Sequence, residues 1–406
     1  MVAKPKQRIG DLAHFGGAPT FTEDLYVGRP NTGDRDGFME RIQDMFDRRW
    51  FTNRGPYVRE LESRIAELVG AKHCIAMCNA TIALEILTRA LELTGEVIIP
   101  SMTFIATAHA LQWQQINPVF CDIDPVTHNL DPAQVEAMIT PKTTGIIGVH
   151  LWGRPCNVEA LQQLADRYDL KVIYDAAHAF SCSCNGRMIG NFGEAEVFSF
   201  HATKFFHTFE GGAVVTNNDD LATKIRLMKN FGFSGYDNVV YIGMNGKMSE
   251  VSAAMGLASL DSLDEIIKVN REHYHQYRKE LDKIPGIRLM RYDEREKCNY
   301  QFIVLEIDVE QIGMSRDHFM EILHAERVLA RRYFYPGCHR MEPYHSYMPH
   351  AGLLVPETEQ VVDKVLTLPT GSAVSEHDVA TVCGLIRFII DHGEEIESGI
   401  LESGIA

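Results

Sequence analysis

The stretch FSFHATKFFHTFEGGAVVT, residues 198–216, holds the residues most able to do chemistry. An apolar run ends in a polar turn carrying Ser199, His201, Thr203 and Lys204. A lone lysine in such a turn is ordinarily a solvated surface group. Here Phe205 and Phe206 follow it. Apolar surroundings lower an amine's pKa, and a neutral amine is what Schiff-base chemistry needs. A second stretch, LKVIYDAAHAFSC (residues 170–182), ends an apolar run in Asp175. A carboxylate there either caps the next helix or pairs with a buried cation, because an unpaired one is costly.

Two further stretches add weaker signals. In CIAMCNATIALEIL (74–87) a strand gives way to a helix near Ala80 or Thr81. Free N–H groups and the helix dipole at that start suit a phosphate, although Asn79 reads equally as a plain N-cap. In IPSMTFIATAHAL (99–111), Phe104 opens a helix directly after a strand, either as core or as a face for a flat ring. A Schiff-base lysine, an aspartate for a ring nitrogen and a phosphate at a helix start together describe pyridoxal 5'-phosphate.

The elements that would position these groups are legible as well. Seven short runs rich in Val, Ile and Phe span residues 73–78, 96–100, 118–123, 144–152, 170–175, 195–200 and 211–216. Many are separated by amphipathic stretches such as TIALEILTRALEL and VEALQQLADRYD. Strand and helix alternating in this way predict an α/β fold with a mainly parallel sheet covered on both faces. Ligands of such sheets sit at the carboxyl ends of the strands. PYVRELESRIAELVGA (56–71) has helical spacing and a stop at Gly70. Residues 247–284 read as one long helix or two in line, with Ser249 at the start and Gly256 as the weak point. Beyond Pro285-Gly286, IRLMR, NYQFIVLEID, a helix near 315–327 and RRYFY predict a smaller α+β domain. The expected organisation is an irregular N-terminal arm (1–50), a large α/β domain (51–265), a small C-terminal α+β domain (266–393) and a frayed acidic tail (394–406).

Composition narrows the function. Among 406 residues, Lys and Arg total 39 against 55 Asp and Glu, a formal charge of -16. An acidic surface repels phosphate backbones, so nucleic acid is not an expected partner. No run of about 18 apolar residues is present to span a membrane. Nine cysteines without CxxC spacing, and no apolar leader, fit a reduced cytoplasmic setting. No GxGxxG follows a strand, which sets aside a nicotinamide enzyme. His201 and His207 lack the spacing of metal ligands.

With these residues in order, the chain resembles the sugar-nucleotide aminotransferases of the DegT/DnrJ/EryC1/StrS family, which are fold type I pyridoxal-phosphate enzymes. The matching segments include TNRGPYVRELE (52–62), PSMTFIATAHAL (100–111), DIDPVTHNLDP (122–132), GVHLWGRPC (148–156), YDAAHAF (174–180), FSFHATK (198–204), EGGAVVT (210–216) and NGKMSEVSAAMGL (245–257). The resemblance implies roles residue by residue. Lys204 is the Schiff-base lysine and proton carrier. Asp175 holds the ring nitrogen, His178 the ring oxygen, and Phe104 stacks on the ring. Ala80, Thr81 and Ser199 take the phosphate, and Asn245 reaches the phosphate of a neighbouring subunit, which implies a homodimer with shared sites. Asn79-Ala80-Thr81 stands where many relatives have Ser-Gly-Thr, so this turn must use ordinary backbone angles.

A finer likeness, carried by CNAT, HLWGRPC, FHATK, EGGAVVT and YPGCHRMEPY, points to the enzymes aminating C4 of dTDP-4-keto-6-deoxyglucose. L-Glutamate would be the donor, 2-oxoglutarate the by-product and pyridoxamine 5'-phosphate the form that carries the amine. Amination at C3, another nucleotide sugar, and a non-catalytic pyridoxal-phosphate-binding regulator are the alternatives. For the sugar, Trp152, Tyr335 and His339 are the candidates, each with core packing or a satisfied loop side chain as its alternative. Phe51, Asn53 and Arg54 are weaker ones, and Arg331 and Arg332 are candidates for the diphosphate.

Overall fold

The computed structural model describes residues 5–403. In chain order the strands are β1 (Leu25–Tyr26), β2 (His73–Met77), β3 (Glu96–Pro100), β4 (Asn117–Cys121), β5 (Thr143–Val149), β6 (Lys171–Asp175), β7 (Ser183–Cys184), β8 (Arg187–Met188), β9 (Ala195–Ser199), β10 (Gly212–Thr216), β11 (Ile287–Leu289), β12 (Ile303–Ile307), β13 (Val328–Leu329) and β14 (Val365–Leu368). Seven form one sheet in the order β2-β10-β9-β6-β5-β3-β4. They are the seven apolar runs of the sequence. Only β10 runs antiparallel to its neighbours; the other pairings are parallel. Separate apolar clusters cover the sheet, one around Ile75, Ile99, Ile147 and Val197, another around Leu61, Ile65, Phe198 and Phe206. This is the α/β architecture that near-continuous apolar strands demand.

Helix α1 spans Arg35–Arg48 and α2 spans Pro56–Val69. Proline occupies the first turn of α2, and Gly70, at φ 67, ends it. Val58, Leu61, Ile65 and Val69 are buried along one face, each stabilising the fold by roughly 1.5–3 kcal/mol. The long helical region divides into α3 (Glu250–Asp261) and α4 (Leu263–Leu281). Ser249 caps α3 by accepting from the N–H of Ser252. The break falls at Ser262, not at the expected Gly256. Gly256 is buried mid-helix, where a Cβ would lie 2.8 Å from the Thr208 methyl and 3.0 Å from both Leu61 methyls. Glycine there serves close packing rather than weakness.

The second sheet, β11-β12-β14, is antiparallel and packs with the helix Arg316–Ala325 in an apolar cluster that also takes in Leu12, Val149 and Trp152 from earlier in the chain. RRYFY departs from expectation. Only Arg331 makes a bridge, to Thr367, and the rest is a turn.

The two chain ends also differ from the sequence reading. The arm is not wholly irregular: α1 is a fourteen-residue helix, and β1 pairs in parallel with β13. The buried carboxylate of Glu326 anchors the arm, accepting from the N–H groups of Ala13 and Thr20 at 2.6 Å and pairing with Lys6 at 2.9 Å. The tail is not frayed within the described residues. Gly393–Ser403 is a helix that buries Ile396 and Ile400 in the apolar cluster around the second sheet. Its acidic side chains mark the exposed face, while two isoleucines four residues apart mark the buried one. Residues 1–4 and 404–406 of these two segments lie outside the described residues.

Candidate active site

At the carboxyl edge of the large sheet lies a cavity of about 400 Å³. Ala80, Thr81, Phe104, Asp175, His178, Ser199 and Lys204 all line it. Asp175 is the last residue of β6 and Ser199 the last of β9. Sheet order makes β6 and β9 adjacent, so both ends open into the same space.

Asp175 is buried and accepts two hydrogen bonds, from the Thr107 hydroxyl at 2.9 Å and the Ala177 N–H at 3.1 Å. It makes no ion pair among the described residues. Burial raises its pKa, opposed by these two donors and by the Lys204 amine. A protonated ring nitrogen is the kind of cation that such a carboxylate would welcome. Lys204 sits half-buried in the turn after β9, its N–H bonded to the His201 carbonyl at 2.9 Å. Burial lowers its pKa to about 8 against the pull of Asp175. Phe205 and Phe206 are buried behind it, so the apolar surroundings that the sequence suggested are real.

His178 is buried beside Phe302 and Phe334, with ring centroids 4.4 and 5.8 Å away. Burial, then the Lys204 charge, pushes its pKa well below the usual histidine value. Its ring is therefore neutral at pH 7. Phe104 is 58% exposed, a flat apolar face in the cavity wall.

The helix Ala80–Ala90 begins at the cavity. Asn79 caps it by accepting from the Ile82 N–H at 2.8 Å, and takes extended angles, φ -167 and ψ 171. Ala80 is not at positive φ, so the missing glycine costs nothing. The glycine requirement falls opposite, in Glu210-Gly211-Gly212. A Cβ on Gly212 would lie 2.7 Å from the Ala80 nitrogen, and one on Gly211 would lie 1.9 Å from the Thr208 hydroxyl oxygen.

Several expected contacts are not brought together. Trp152 is fully buried and does not line the cavity. Its indole N–H bonds His128 and its ring stacks on Phe334, so it is core. His339 is 2% exposed, bonded through Nδ1 to the Ser101 hydroxyl at 2.5 Å and through Nε2 to Glu359. It is a satisfied loop histidine. Tyr335 lies outside this cavity, between Arg332 and Arg316, in an adjoining groove of about 370 Å³. Phe104 and Arg331 line both spaces. Asn53 sits at φ 62 on the exposed turn before α2, and Asn245 is exposed; neither lines the cavity. Arg54 is tied to Glu62 at 3.0 Å, and Arg332 to Asp317 at 2.7 Å.

Other wall residues carried no clear signal in the sequence. Gln301 and Phe302 come from the segment leading into β12, with Gln301 accepting from the Phe205 N–H at 3.4 Å. Val27 and Gly28 come from the arm. Gly28, at φ +76, passes so close that a Cβ would lie 3.0 Å from the Thr203 carbonyl oxygen. Thr107, on the helix Ala106–Gln112 behind the wall, reaches Asp175 and likewise carried no signal in the sequence.

Comparison with known proteins identifies the family. Residues 33–387 match the model of the DegT/DnrJ/EryC1/StrS aminotransferase family. A dTDP-4-amino-4,6-dideoxy-D-glucose transaminase of Shigella dysenteriae is 37% identical over 366 residues, covering 90% of this chain and 99% of that protein. GDP-perosamine synthase of Caulobacter vibrioides is 33% identical over 354 residues, 86% of this chain and 94% of that one. Among solved structures, DesI in the presence of its TDP-sugar product superposes with a TM-score of 0.93 at 49% identity, covering 96% of this chain and 99% of that one. The chain belongs to the DegT/DnrJ/EryC1/StrS aminotransferase family.

Proposed function

We propose that the protein binds pyridoxal 5'-phosphate and transfers an amino group from L-glutamate to C4 of dTDP-4-keto-6-deoxy-D-glucose, giving dTDP-4-amino-4,6-dideoxy-D-glucose and 2-oxoglutarate. The observation that carries this reading is one cavity joining a lysine of pKa about 8, a buried unpaired aspartate and a neutral histidine. The similarity to the Shigella transaminase and to DesI supports the sugar and its nucleotide.

The bound cofactor supplies an electron sink for the carbon that loses its proton. Asp175 would hold the ring nitrogen, His178 the ring oxygen and Phe104 a ring face. Ser199, Thr81 and the helix start at Ala80 would hold the phosphate. Lys204 is the group able to move protons. With a pKa near 8 its amine is partly neutral at pH 7, and it would carry a proton from the donor's carbon to the cofactor carbon in the first stage and from that carbon to the sugar carbon in the second. The apolar walls from Phe302 and Phe334 limit water around that transfer.

A homodimer with shared sites belongs to the same reading. Asn245 is exposed at the end of a segment whose Tyr236 and Ile242 are 100% and 75% exposed, an apolar stretch that a second copy would cover. A cytoplasmic setting is supported by nine cysteines that are all free. No helix of the described residues is long and apolar enough to cross a membrane.

The test is the visible spectrum of the purified protein before and after excess L-glutamate. A yellow band that bleaches, and returns on adding the 4-keto sugar, supports the proposal. Return only with a 3-keto or GDP-linked sugar would replace the substrate; the likeness to GDP-perosamine synthase makes that second reading worth including. A band that glutamate and other amino donors never bleach would indicate a regulator.

A further inference from the structure

His178 faces the cavity through one ring nitrogen, and a chain of hydrogen bonds behind it decides which. The backbone N–H of Trp152 donates to His178 Nδ1 at 3.3 Å. A backbone N–H can only donate, so Nδ1 is the unprotonated nitrogen and Nε2 carries the hydrogen. Nε2 has no protein hydrogen bond among the described residues, and His178 lines the cavity.

The donor itself needs support. Trp152 lies at φ 61, ψ 10, a region that costs a non-glycine residue energy unless its surroundings hold it there. Two polar contacts do so. The Trp152 carbonyl shares the one Tyr292 hydroxyl hydrogen with the Phe302 carbonyl, each at 3.0 Å, and the Trp152 indole N–H donates to His128 Nδ1 at 3.2 Å. An indole N–H also only donates, so His128 in turn carries its hydrogen on Nε2. That nitrogen lies 3.3 Å from Glu306 Oε1 without hydrogen-bond geometry, and Glu306 pairs with Arg288. The hydrogen bonds thus run from His128, with the Glu306 carboxylate of β12 beside it, through Trp152 to the wall of the cavity.

We propose that Trp152 and His128 are positioning residues for the reaction, fixing His178 as an outward-facing N–H donor to the oxygen of the bound cofactor ring. This rests on the cofactor assignment under Proposed function. Trp152 therefore acts from behind His178 rather than on the sugar. A donor held against a ring oxygen stabilises its negative charge, so the form with that oxygen charged appears at lower pH.

The experiment compares wild type with His128→Leu, His128→Asn and Tyr292→Phe. Asparagine keeps an acceptor for the indole and tolerates the positive φ of 61 that His128 adopts. Tyr292→Phe frees the Trp152 carbonyl by an independent route and serves where His128→Leu does not fold. Two quantities are read: the pH midpoint of the visible band of the holoenzyme, and the ring-nitrogen resonances of His178 in 15N-histidine-labelled apo-protein. The expected result is a midpoint raised by about one pH unit, a tenfold change in proton affinity, in His128→Leu and Tyr292→Phe. Their His178 nitrogens should show mixed tautomers, and His128→Asn should match wild type. Wild-type midpoint and tautomer in both disrupted variants would overturn the proposal. A wild type that takes up no coloured cofactor would overturn the cofactor assignment and the catalytic purpose of the chain. The apo-protein resonances would still decide whether the chain fixes the tautomer.

Discussion

The hydroxyl of Thr107 donates to Asp175 Oδ2 across 2.9 Å, and with the Ala177 N–H it supplies both hydrogen bonds that this buried carboxylate receives. Both favour the charged form, while burial opposes it. Replacing Thr107 with Val keeps the shape and removes one donor. Asp175 should then be still harder to ionise and should hold a ring cation less well. We expect kcat to fall about tenfold, equivalent to ~1.4 kcal/mol, within the range of one hydrogen bond to a charged group. Steady-state kinetics beside a thermal melt would check it; an unchanged kcat would remove Thr107 from the machinery.

The Lys204 amine gives a pH prediction with a defined sign. Its folded pKa is lowered to about 8 from 10.5, so burial disfavours the charged form. Only the neutral amine attacks a carbonyl. Capture of pyridoxal phosphate by apo-protein should therefore rise about tenfold per pH unit below 8 and level off above it. The same shift bears on stability. Between pH 8 and 10.5 the unfolded chain binds this proton and the folded one does not, so this group's contribution becomes more favourable as pH rises through that window. Stopped-flow absorbance between pH 6 and 10 would read the first effect. A rate climbing steadily to pH 10 would show an ordinary exposed lysine.

Local signals accounted for much of what the structure contains. All seven strands of the large sheet were visible because a strand buried on both faces must be apolar throughout. The groups at the ends of β6 and β9 were visible because Asp175 and Lys204 interrupt apolar surroundings. The failures share a cause. Trp152 and His339 are polar-tipped residues next to motifs, and no pattern in the chain shows that His128 and Ser101 satisfy them from 24 and 238 residues away. Gln301, Phe302 and Gly28 reach the cavity through tertiary folding alone. The tail looked frayed because its glutamates and glycines outweighed two isoleucines whose partners lie far back in the chain.

His339 provides a direct test of that distinction. Its two ring nitrogens are engaged by Ser101 and Glu359, and burial lowers its pKa against the pull of Glu359. His339→Ala leaves the buried Ser101 hydroxyl without its ring partner, keeping only the longer bond from the His339 backbone N–H, and opens a space. A loss of about 2–4 kcal/mol is expected, the sum of one unsatisfied buried polar group and a small cavity. The KM for the nucleotide sugar, measured well below the melting temperature, should stay within about twofold. A large rise in KM with an unchanged melt would return His339 to the list of substrate contacts.

The C-terminal helix can be weighed in the same way. Ile396 is fully buried and Ile400 nearly so, both in the core built on β11, β12 and β14. Gly393 begins the helix so close to Ile312 that a Cβ there would lie 1.8 Å from the Ile312 carbonyl oxygen. A tail that frays would not be packed against a neighbouring backbone in this way. Ile396→Ala should cost about 2–5 kcal/mol, the usual range for deleting a buried isoleucine side chain. Glu395→Ala, on the exposed face, should change stability by under about 0.5 kcal/mol. Urea denaturation of both variants would show whether the isoleucine is worth several times the glutamate. Equal midpoints would mean that the helix does not persist in solution, and that the core closes without it.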